Sequence, residues 1–306
     1  MMASLKRGLK ANPLARPLYM AARKAYLVYL NKKTQLVFGW VAWRDEGRNE
    51  KSFRWNGFIV TEGQHDIFKS RCLNDGLREY RRTADQVLRL LAGCEGSPVV
   101  FDVGANIGIY SLLYARFPDA RVYSFEPVTT TYAFLARNVM ANGLGNVEVF
   151  NHGFYDADGE LYIGPWQGKA KSGTFTVDSR RHDPAEQDRG EMADFHTLDG
   201  FVRDRGLDRI DFLKIDTEGA ELAVLRGGAE IICRFRPVME IEVNKRIAAD
   251  EAVTIFDFLG EHGYDIFLWN GHELLPSDID HFMTIDHMAE NIGPDVFAVP
   301  RERAAS

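Results

Sequence analysis

Short apolar runs and amphipathic stretches alternate along the chain from residue 98 onward. Runs of five or six residues rich in Val, Ile, Leu and Phe predict buried strands: Val99–Val103, Arg121–Phe125, Val147–Asn151, Asp211–Ile215, Val238–Val243, Tyr264–Leu268 and Asp295–Val299. Apolar positions with a helical period predict the helices between them: Ile107–Arg116, Thr130–Asn142, Ala220–Cys233 and Ala252–His262. Strands that alternate with helices are typical of a doubly wound, mostly parallel sheet, so we predict an α/β fold.

Two segments depart from this alternation. Residues 1–75 predict a basic helix and then two β-rich stretches, residues 35–43 and 53–60, that we expect to pair as a hairpin. Residues 152–196 are rich in glycine and too long for a plain connection, so they predict an insertion with small strands and a working loop. We therefore divide the chain into an N-terminal extension, residues 1–75, and a main domain, residues 76–306, that carries the insertion.

Charge is unevenly distributed along the chain. The net charge is −7, yet residues 1–43 contain eight Lys and Arg residues and no acidic residue. This segment predicts contact with an anionic surface. Residues 1–34 either form an interfacial helix on an anionic membrane, or pack on the main domain as a helix or a frayed terminus. The acidic remainder argues against nucleic acid as a partner.

The location of the protein follows from what the sequence lacks. Arg23 and Lys24 interrupt the most apolar stretch, residues 18–30, which is shorter than the roughly 20 residues that span a bilayer. No secretory signal is evident, and the three cysteines form no CxxC pair, which fits a reducing compartment. We predict a cytoplasmic protein, which the interfacial alternative for residues 1–34 would place at the inner membrane face. The oligomeric state is left open.

A glycine-containing turn follows the first strand of the main domain. Asp102 lies at the strand end, and the turn contains the predicted cofactor-binding residues Gly104, Ala105, Asn106 and Gly108. Glycine lets a backbone approach a ligand closely, and a helix N-terminus accepts a carboxylate. A dinucleotide site expects G-x-G-x-x-G, but Asn106 occupies the position of the middle glycine. The pattern therefore weakens a pyrophosphate role and resembles that of methyltransferases, in which a carboxylate at the position of Asp102 anchors the turn and the methionyl ammonium of S-adenosylmethionine.

The ends of the next two strands extend this cofactor site. Glu126 ends the second strand and is placed to accept both ribose hydroxyls, while Pro127 fixes the turn that follows. Gly153 and Phe154 follow the third strand, where the adenine is expected. Phe154 either packs on the adenine ring or is a core aromatic residue.

A second polar cluster follows a later strand. Lys214, Asp216, Glu218 and Glu221 lie close together in the segment that runs from Ile210 to Glu221. Acidic residues at a helix start are also explained by the helix dipole. The dipole does not explain Lys214 beside Asp216 at the end of a strand, which instead indicates a site where ligands bind.

With these motifs the sequence resembles the FkbM family of S-adenosylmethionine-dependent methyltransferases. The resemblance covers about residues 76–300 and rests on the two clusters above together with three further segments: Thr197-Leu-Asp199, Leu225-Arg-Gly-Gly228 and Glu240-Ile-Glu242. It implies a Rossmann-like class I methyltransferase sheet, mostly parallel with an antiparallel last strand. It also implies O-methylation of a hydroxyl on a sugar, glycan or glycolipid, or on a polyketide.

Methyl transfer to a hydroxyl requires a group that removes its proton. In one hypothesis Asp216 is that base, or orients it, with Lys214 and Glu242 as further catalytic residues. In the other, Asp216, Glu242 and Asn244 hold a divalent metal such as Mg²⁺. Three histidines in or near the insertion are alternative bases or simple hydrogen-bonding groups: His152, His182 and His196.

The insertion carries the candidate acceptor residues. Its basic run either receives an acidic or phosphorylated acceptor or is a solvated loop: Lys169, Lys171, Arg180, Arg181 and His182. Trp166 either stacks on a sugar ring or pins the loop. Two other functions stay open, namely another adenosine-cofactor enzyme such as an oxidoreductase, and a catalytically silent module that binds a membrane or glycan.

Overall fold

The structure is a computed structural model whose described residues form several ranges. These are residues 42–43, 50–55, 57–63, 83, 85–87, 89–91, 94–117, 119–167, 175–243, 249–270, 272–285 and 295–304. The predicted N-terminal helix, the membrane contact of residues 1–34, and the residues Lys169, Lys171 and Asn244 lie outside these ranges. None of the helices that the structure describes is long and apolar enough to cross a bilayer.

Apolar runs form the strands that the alternation predicts. The described strands are β1 (Ala42–Trp43), β2 (Glu50–Trp55), β3 (Phe58–Gly63), β4 (Val99–Val103), β5 (Arg121–Phe125), β6 (Val147–Phe150), β7 (Gly153–Phe154), β8 (Gly159–Pro165), β9 (Phe175–Thr176), β10 (Glu191–His196), β11 (Phe212–Ile215), β12 (Val238–Glu242), β13 (Tyr264–Trp269), β14 (Leu274–Ser277) and β15 (Asp295–Pro300). The described α-helices are α1 (Ile109–Tyr114), α2 (Thr129–Ala141), α3 (Leu198–Asp204), α4 (Glu221–Gly227), α5 (Ala229–Phe235), α6 (Ala249–Glu261), α7 (Ile279–Thr284) and α8 (Arg301–Ala304).

The main sheet contains eight of the described strands, in the order β14-β13-β15-β12-β11-β4-β5-β6. The strands from β12 to β6 are parallel, whereas β15 runs antiparallel to both β12 and β13. The predicted α/β fold, with a mostly parallel sheet and an antiparallel last strand, is therefore confirmed. All five residues of β4 are buried, because a central parallel strand is covered on both faces.

One predicted helix, Ala220–Cys233, is divided into α4 and α5 at a pair of glycines. A Cβ atom on Gly227 would lie 2.1 Å from the carbonyl oxygen of Tyr155, and one on Gly228 would lie 2.6 Å from Leu198. Asp199 then accepts hydrogen bonds from the first backbone N–H groups of α5, at 2.9 Å from Ile231. The glycine pair and the Thr197-Leu-Asp199 segment therefore belong to one packing contact between helices.

The predicted insertion is confirmed as a β-rich unit. Strands β7 to β10 form a small sheet in the order β7-β10-β8-β9, and β10 pairs antiparallel with β8. An isolated bridge joins Trp166 to His182 beyond the end of β8. The unit lies along the chain between β6 and α3, so it follows the third strand of the main sheet.

Strands β1 to β3 form an antiparallel sheet that packs on the main domain. The second predicted strand, residues 53–60, is split, because Gly57 adopts a left-handed conformation (φ 85°) that turns the chain between β2 and β3. Phe58 and Val60 share a buried apolar cluster with Ile107 and Leu112. Phe58 and Val60 of the predicted extension therefore pack on the main domain, and the division of the chain after residue 75 stays a prediction.

Candidate functional site

The turn after β4 brings two loops of the site into contact. Gly104, Asn106 and Gly108 all have left-handed backbone conformations, with φ of 79°, 52° and 90°. A Cβ atom on Gly104 would lie 1.8 Å from the carbonyl oxygen of Asp216, and one on Gly108 would lie 2.6 Å from Leu135. Both glycines are therefore required by packing within the protein. The close approach at Gly104 places the β4–α1 turn directly against the loop after β11.

Asp102 offers a buried acceptor at this turn. Its side chain is 1% exposed, and Oδ2 accepts a hydrogen bond of 2.6 Å from Ser111, whose hydroxyl accepts one from Ser124. Oδ1 has no hydrogen-bond partner among the described residues. Burial raises the pKa of Asp102 to about 6. A buried oxygen of this kind fits a donor from a ligand, such as the methionyl ammonium of S-adenosylmethionine.

Glu126 is held in place by the backbone on both sides. Oε2 accepts a hydrogen bond of 3.0 Å from the N–H of Asn106, and Oε1 accepts one of 3.0 Å from the N–H of Val128. Asn151 donates to the carbonyl oxygens of Glu126 and Pro127, which fixes the turn after β5. Each carboxylate oxygen can accept a further bond, so the group can receive two ribose hydroxyls. Burial raises the pKa of Glu126 to about 7.

The structure places Phe154 in the core. Its side chain is 1% exposed, and its ring centroid lies 4.6 Å from that of Phe125 and 5.6 Å from that of Phe201. Gly153 packs equally closely, because a Cβ atom there would lie 2.3 Å from the ring of Phe195. Phe154 is therefore a core aromatic residue and Gly153 packs against β10, while their predicted place beside the adenine stays a prediction.

Two rows of polar residues cross the end of the main sheet. In the first row Lys214 is paired in register with Asp102 on one side and with Glu240 on the other. Glu242 lies two residues further along β12, and Asp216 directly follows β11 and continues its pairing with β4, so both side chains project from the same face nearer the carboxyl end of the strands. The sequence pattern K-x-D in one strand and E-x-E in the next is the signal for this arrangement.

Lys214 lies behind Asp216. Its Nζ donates a hydrogen bond of 2.8 Å to Asp216 Oδ2, lies 3.9 Å from Glu240 Oε1, and is 4.6 Å from the centroid of the Tyr110 ring. The Lys214 side chain is 2% exposed, against 33% for Asp216. Lys214 is therefore buried behind the more exposed Asp216, and its predicted catalytic role stays a prediction.

Glu240 completes the buried row, and sequence reasoning gave it no role of its own. Burial raises its pKa to about 8, although the Lys214 ammonium opposes this effect. Its two carboxyl oxygens have no hydrogen-bond partner among the described residues, so its contact with Lys214 is electrostatic.

Three carboxylates lie close together at the carboxyl end of the main sheet. Oxygen atoms of Asp216, Glu218 and Glu242 lie within 4.8 Å of one another. Burial and then the nearby Asp216 and Glu218 carboxylates raise the pKa of Glu242 well above its usual range. Glu221 holds this loop by accepting bonds from the N–H groups of Thr217 and Gly219. These oxygen ligands suit a divalent cation, with Glu218 as a member that the predicted metal set did not include.

A pocket opens between the carboxyl ends of β11 and β12, the insertion and α6. We call it the acceptor pocket, and its lining includes Trp166, Arg181, Glu218, Glu221, Glu242 and Glu251. The guanidinium of Arg181 lies 5.0 Å from the centroid of the Trp166 ring, and Trp166 is 7% exposed. Trp166 is therefore covered on one side by Arg181, and both of its predicted roles, pinning the loop and stacking on a sugar, stay predictions.

The predicted histidines make contacts elsewhere in the insertion. His182 bonds through Nε2 to the carbonyl oxygen of Thr176 at 2.9 Å. His152 packs against His196 with ring centroids 4.7 Å apart, and burial lowers the pKa of His152 to about 4. His196 lies 3.8 Å from Asp158 at the surface. In the part of the chain that the structure describes, none of the three lines the acceptor pocket.

Comparison with known proteins agrees with this geometry. The FkbM methyltransferase domain matches residues 102–266. The chain is 30% identical to the methyltransferase sdnD of Sordaria araneosa over 162 residues, which are 45% of this chain and 62% of that protein. It is 29% identical to the hexuronic acid methyltransferase AglP of Haloferax volcanii, over 49% of this chain and 58% of that protein. It is 24% identical to the 2-O-methyltransferase NoeI of Sinorhizobium fredii, over 49% of this chain and 65% of that protein.

The chain thus spans less than two thirds of the length of each of these relatives. Among solved structures, methyltransferase FkbM from Methylobacillus flagellatus aligns with a TM-score of 0.41 and 19% identity, over 66% of this chain and 43% of that one. The matched domain covers more than half of the chain and contains Asp102, Glu126, Lys214, Asp216 and Glu242. The chain therefore belongs to the FkbM methyltransferase family.

Proposed function

We propose that the chain is an S-adenosylmethionine-dependent O-methyltransferase that acts on a hydroxyl of a sugar, glycan or glycolipid. One observation carries this proposal: the cofactor turn at Gly104 packs directly on the backbone of Asp216, beside the acceptor pocket. A methyl donor on one side of this contact is then adjacent to a carboxylate on the other. Two relatives are named for methylation of a hexuronic acid and for 2-O-methylation, which supports a sugar as the acceptor.

In this proposal the cofactor is held by carboxylates at the ends of β4 and β5. The unpartnered Oδ1 of Asp102 accepts from the methionyl ammonium, and Glu126, held by the N–H groups of Asn106 and Val128, accepts the ribose hydroxyls. Both carboxyl groups gain donors on binding, which offsets the cost of their burial. Gly104, Ala105, Asn106 and Gly108 form the turn on which the cofactor lies.

Asp216 is the proposed base. When bound, S-adenosylmethionine supplies a methyl group on a positively charged sulfur, and the acceptor oxygen displaces that sulfur in line. Asp216 accepts the hydroxyl proton, so the oxygen that forms the new C–O bond does not retain it. Lys214 holds Asp216 Oδ2 at 2.8 Å and thereby fixes the direction of the carboxylate. Because Glu242 lies beside Asp216, it contacts the same acceptor.

The product identifies the reaction directly. Purified protein is incubated with methyl-tritiated S-adenosylmethionine and glycans from a lysate, and the labelled product is treated with base. We expect a base-stable methyl ether on a sugar. Label that base releases would indicate a carboxyl ester, and label on nitrogen would also contradict O-methylation. Asp216→Asn should lose the label, whereas Tyr264→Phe, which removes a buried hydroxyl that bonds to Ile232, should keep it.

The metal hypothesis makes a different prediction for the same assay. If Asp216, Glu218 and Glu242 hold Mg²⁺, dialysis against a chelator abolishes transfer and added Mg²⁺ restores it. If Asp216 acts as the base without a metal, the chelated protein retains its rate. Asn244, the third ligand of the original hypothesis, lies outside the described residues.

Contact with a membrane remains a separate proposal that rests on the basic segment of the sequence. Deletion of residues 1–34 is expected to reduce sedimentation of the protein with anionic liposomes, while transfer to a soluble acceptor persists. Equal sedimentation of the full chain and of the deletion variant would contradict membrane contact through residues 1–34. The two other functions considered from the sequence, an oxidoreductase and a silent binding module, gain no support from membership of this family.

A further inference from the structure

Arg181 lines the acceptor pocket, but its charge is already compensated. Its Nε lies 3.0 Å from Asp178 Oδ2, and its Nη2 lies 3.7 Å from Glu251 Oε2. The Arg181 side chain is 10% exposed, packs over Trp166, and closely contacts Gly219, where a Cβ atom would lie 2.4 Å from Nη1. A ligand carboxylate in the pocket would compete for the Arg181 charge with Glu251, the partner that also lines the pocket.

The other charged side chains that line the pocket in the described ranges are acidic. Glu218, Glu221, Glu242 and Glu251 surround it, so Arg181 contributes its single basic group. The second arginine of the basic run, Arg180, points elsewhere and forms a bidentate contact with Asp178 at 2.8 Å. Arg180 and Arg181, the two arginines of the basic run, are therefore both paired with carboxylates, while Lys169 and Lys171 of the same run lie outside the described residues.

We infer that the acceptor pocket selects an uncharged sugar and rejects uronates and phosphorylated sugars, with the Arg181–Glu251 ion pair as the specificity determinant. An anionic sugar would lose its hydration and meet carboxylates, and the described lining offers it no guanidinium that lacks a carboxylate partner. A neutral ring instead finds carboxylate acceptors for its hydroxyl donors. This inference rests on the proposed sugar methyltransferase function, and it differs from the acidic acceptor named for the relative AglP.

Matched neutral and acidic acceptors test the inference. Methyl glucoside with methyl glucuronide, and methyl galactoside with methyl galacturonide, are assayed for formation of S-adenosylhomocysteine. The same compounds are measured for binding to the complex with S-adenosylhomocysteine by saturation-transfer NMR, which reports discrimination whether or not a compound is methylated. We expect each neutral glycoside to be preferred at least about tenfold over its uronate. Equal or tighter binding of the uronates, or no binding of either kind, would overturn the inference.

Two single substitutions change the charge around Arg181 equally. Glu251→Gln removes the Arg181 partner that lines the pocket. Asp178→Asn removes the other Arg181 partner, which is not part of the described lining. In Glu251→Gln the preference for each neutral glycoside over its uronate is expected to fall at least about fivefold, because the guanidinium is then available to the ligand. Asp178→Asn should leave the discrimination within about twofold of wild type. An equal change of this preference in both variants would show that Glu251 does not determine the specificity.

Failure of the inference about the acceptor and failure of the proposed function give different results in this experiment. Calorimetry with S-adenosylmethionine is run on the wild type and both variants, since neither Glu251 nor Asp178 belongs to the cofactor site. Loss of charge discrimination with normal cofactor binding and transfer contradicts only the inference about the acceptor. Absence of cofactor binding in the wild type contradicts the proposed function itself.

Discussion

Lys214 Nζ lies 2.8 Å from Asp216 Oδ2, and the lysine side chain is 2% exposed while that of the aspartate is 33% exposed. The pair therefore has an inner member that orients and an outer member that a substrate reaches. A buried ammonium is costly unless its neighbours are acidic, and here Asp216, Glu240 and Asp295 raise the pKa of Lys214 well above its usual range despite burial. In the proposed reaction, Asp216 transfers the proton and Lys214 aligns its carboxylate.

The first prediction concerns this division of roles. Asp216→Asn is expected to abolish turnover, and Lys214→Met to lower kcat by about 10- to 100-fold, because the carboxylate loses its fixed direction. Steady-state kinetics and calorimetry with S-adenosylmethionine measure both effects. Cofactor affinity should stay within about threefold of wild type in both variants, and Tyr264→Phe serves as the buried control with normal kcat. A Lys214→Met protein with normal kcat would show that orientation by Lys214 is unimportant.

The second prediction is that cofactor affinity rises with pH. Hydrogen bonds from the ribose favour the ionised form of Glu126, whose pKa without cofactor is raised to about 7. Binding should therefore be about tenfold weaker at pH 6 than at pH 8, with protons released on binding. Calorimetry in buffers of different ionisation enthalpy measures both quantities. Glu126→Gln should bind weakly with a smaller pH dependence, to which Asp102 with its pKa of about 6 still contributes, and a pH-independent wild type would contradict the assignment.

The third prediction follows from the same burial and concerns the stability of the cofactor-free fold. A carboxyl group whose pKa is raised from 4.5 to about 7 on folding stabilises the fold fully below pH 4.5. That contribution is lost as pH rises through 7, because the buried group must then ionise. The free energy of unfolding should fall between pH 5 and about 8 less steeply in Glu126→Gln than in wild type. Urea titrations at both pH values test this, and parallel slopes would contradict it.

The fourth prediction concerns the attachment of β3 to the main domain. Asn138 accepts a hydrogen bond of 2.7 Å from the N–H of Thr61 and donates to the carbonyl oxygens of Thr61 and Ile107, so its amide pairs with β3 as a neighbouring strand would. Asn138→Ala leaves these buried groups unpaired and should cost about 3 kcal/mol of unfolding free energy. Met140→Ala, on the exposed face of the same helix, should cost less than about 0.5 kcal/mol. Similar losses in both variants would contradict the role of Asn138.

Sequence patterns located the central elements well because burial on both faces leaves a plain signal. The runs Val99–Val103 and Arg121–Phe125 have the predicted bounds, since a strand covered by helices on both sides is continuously apolar. The edge strand β14 was not predicted, because Pro276 interrupts its apolar run. A proline is tolerated in an edge strand. The helical neighbour of β14, α7, is too short for a periodic pattern.

The site was predicted where its chemistry is local and was incomplete where it depends on tertiary contacts. Asp102, Glu126 and Asp216 lie at strand ends, and that position can be inferred from the chain alone. The burial of Lys214 could not be inferred, because it depends on the register of β11 against β4 and β12. The contact between Arg181 and Glu251 joins residues 70 positions apart, so the sequence showed a basic run without the carboxylates that neutralise it.

The central claim is that Asp102 and Glu126 bind S-adenosylmethionine at the turn that packs on Asp216. Its most direct test is calorimetric titration of the cofactor into the wild type, Asp102→Asn and Glu126→Gln, with circular dichroism to confirm that each variant is folded. We predict a single cofactor site in the wild type and an affinity at least about 100-fold lower in each folded variant. Folded variants that bind S-adenosylmethionine as tightly as the wild type would contradict the account.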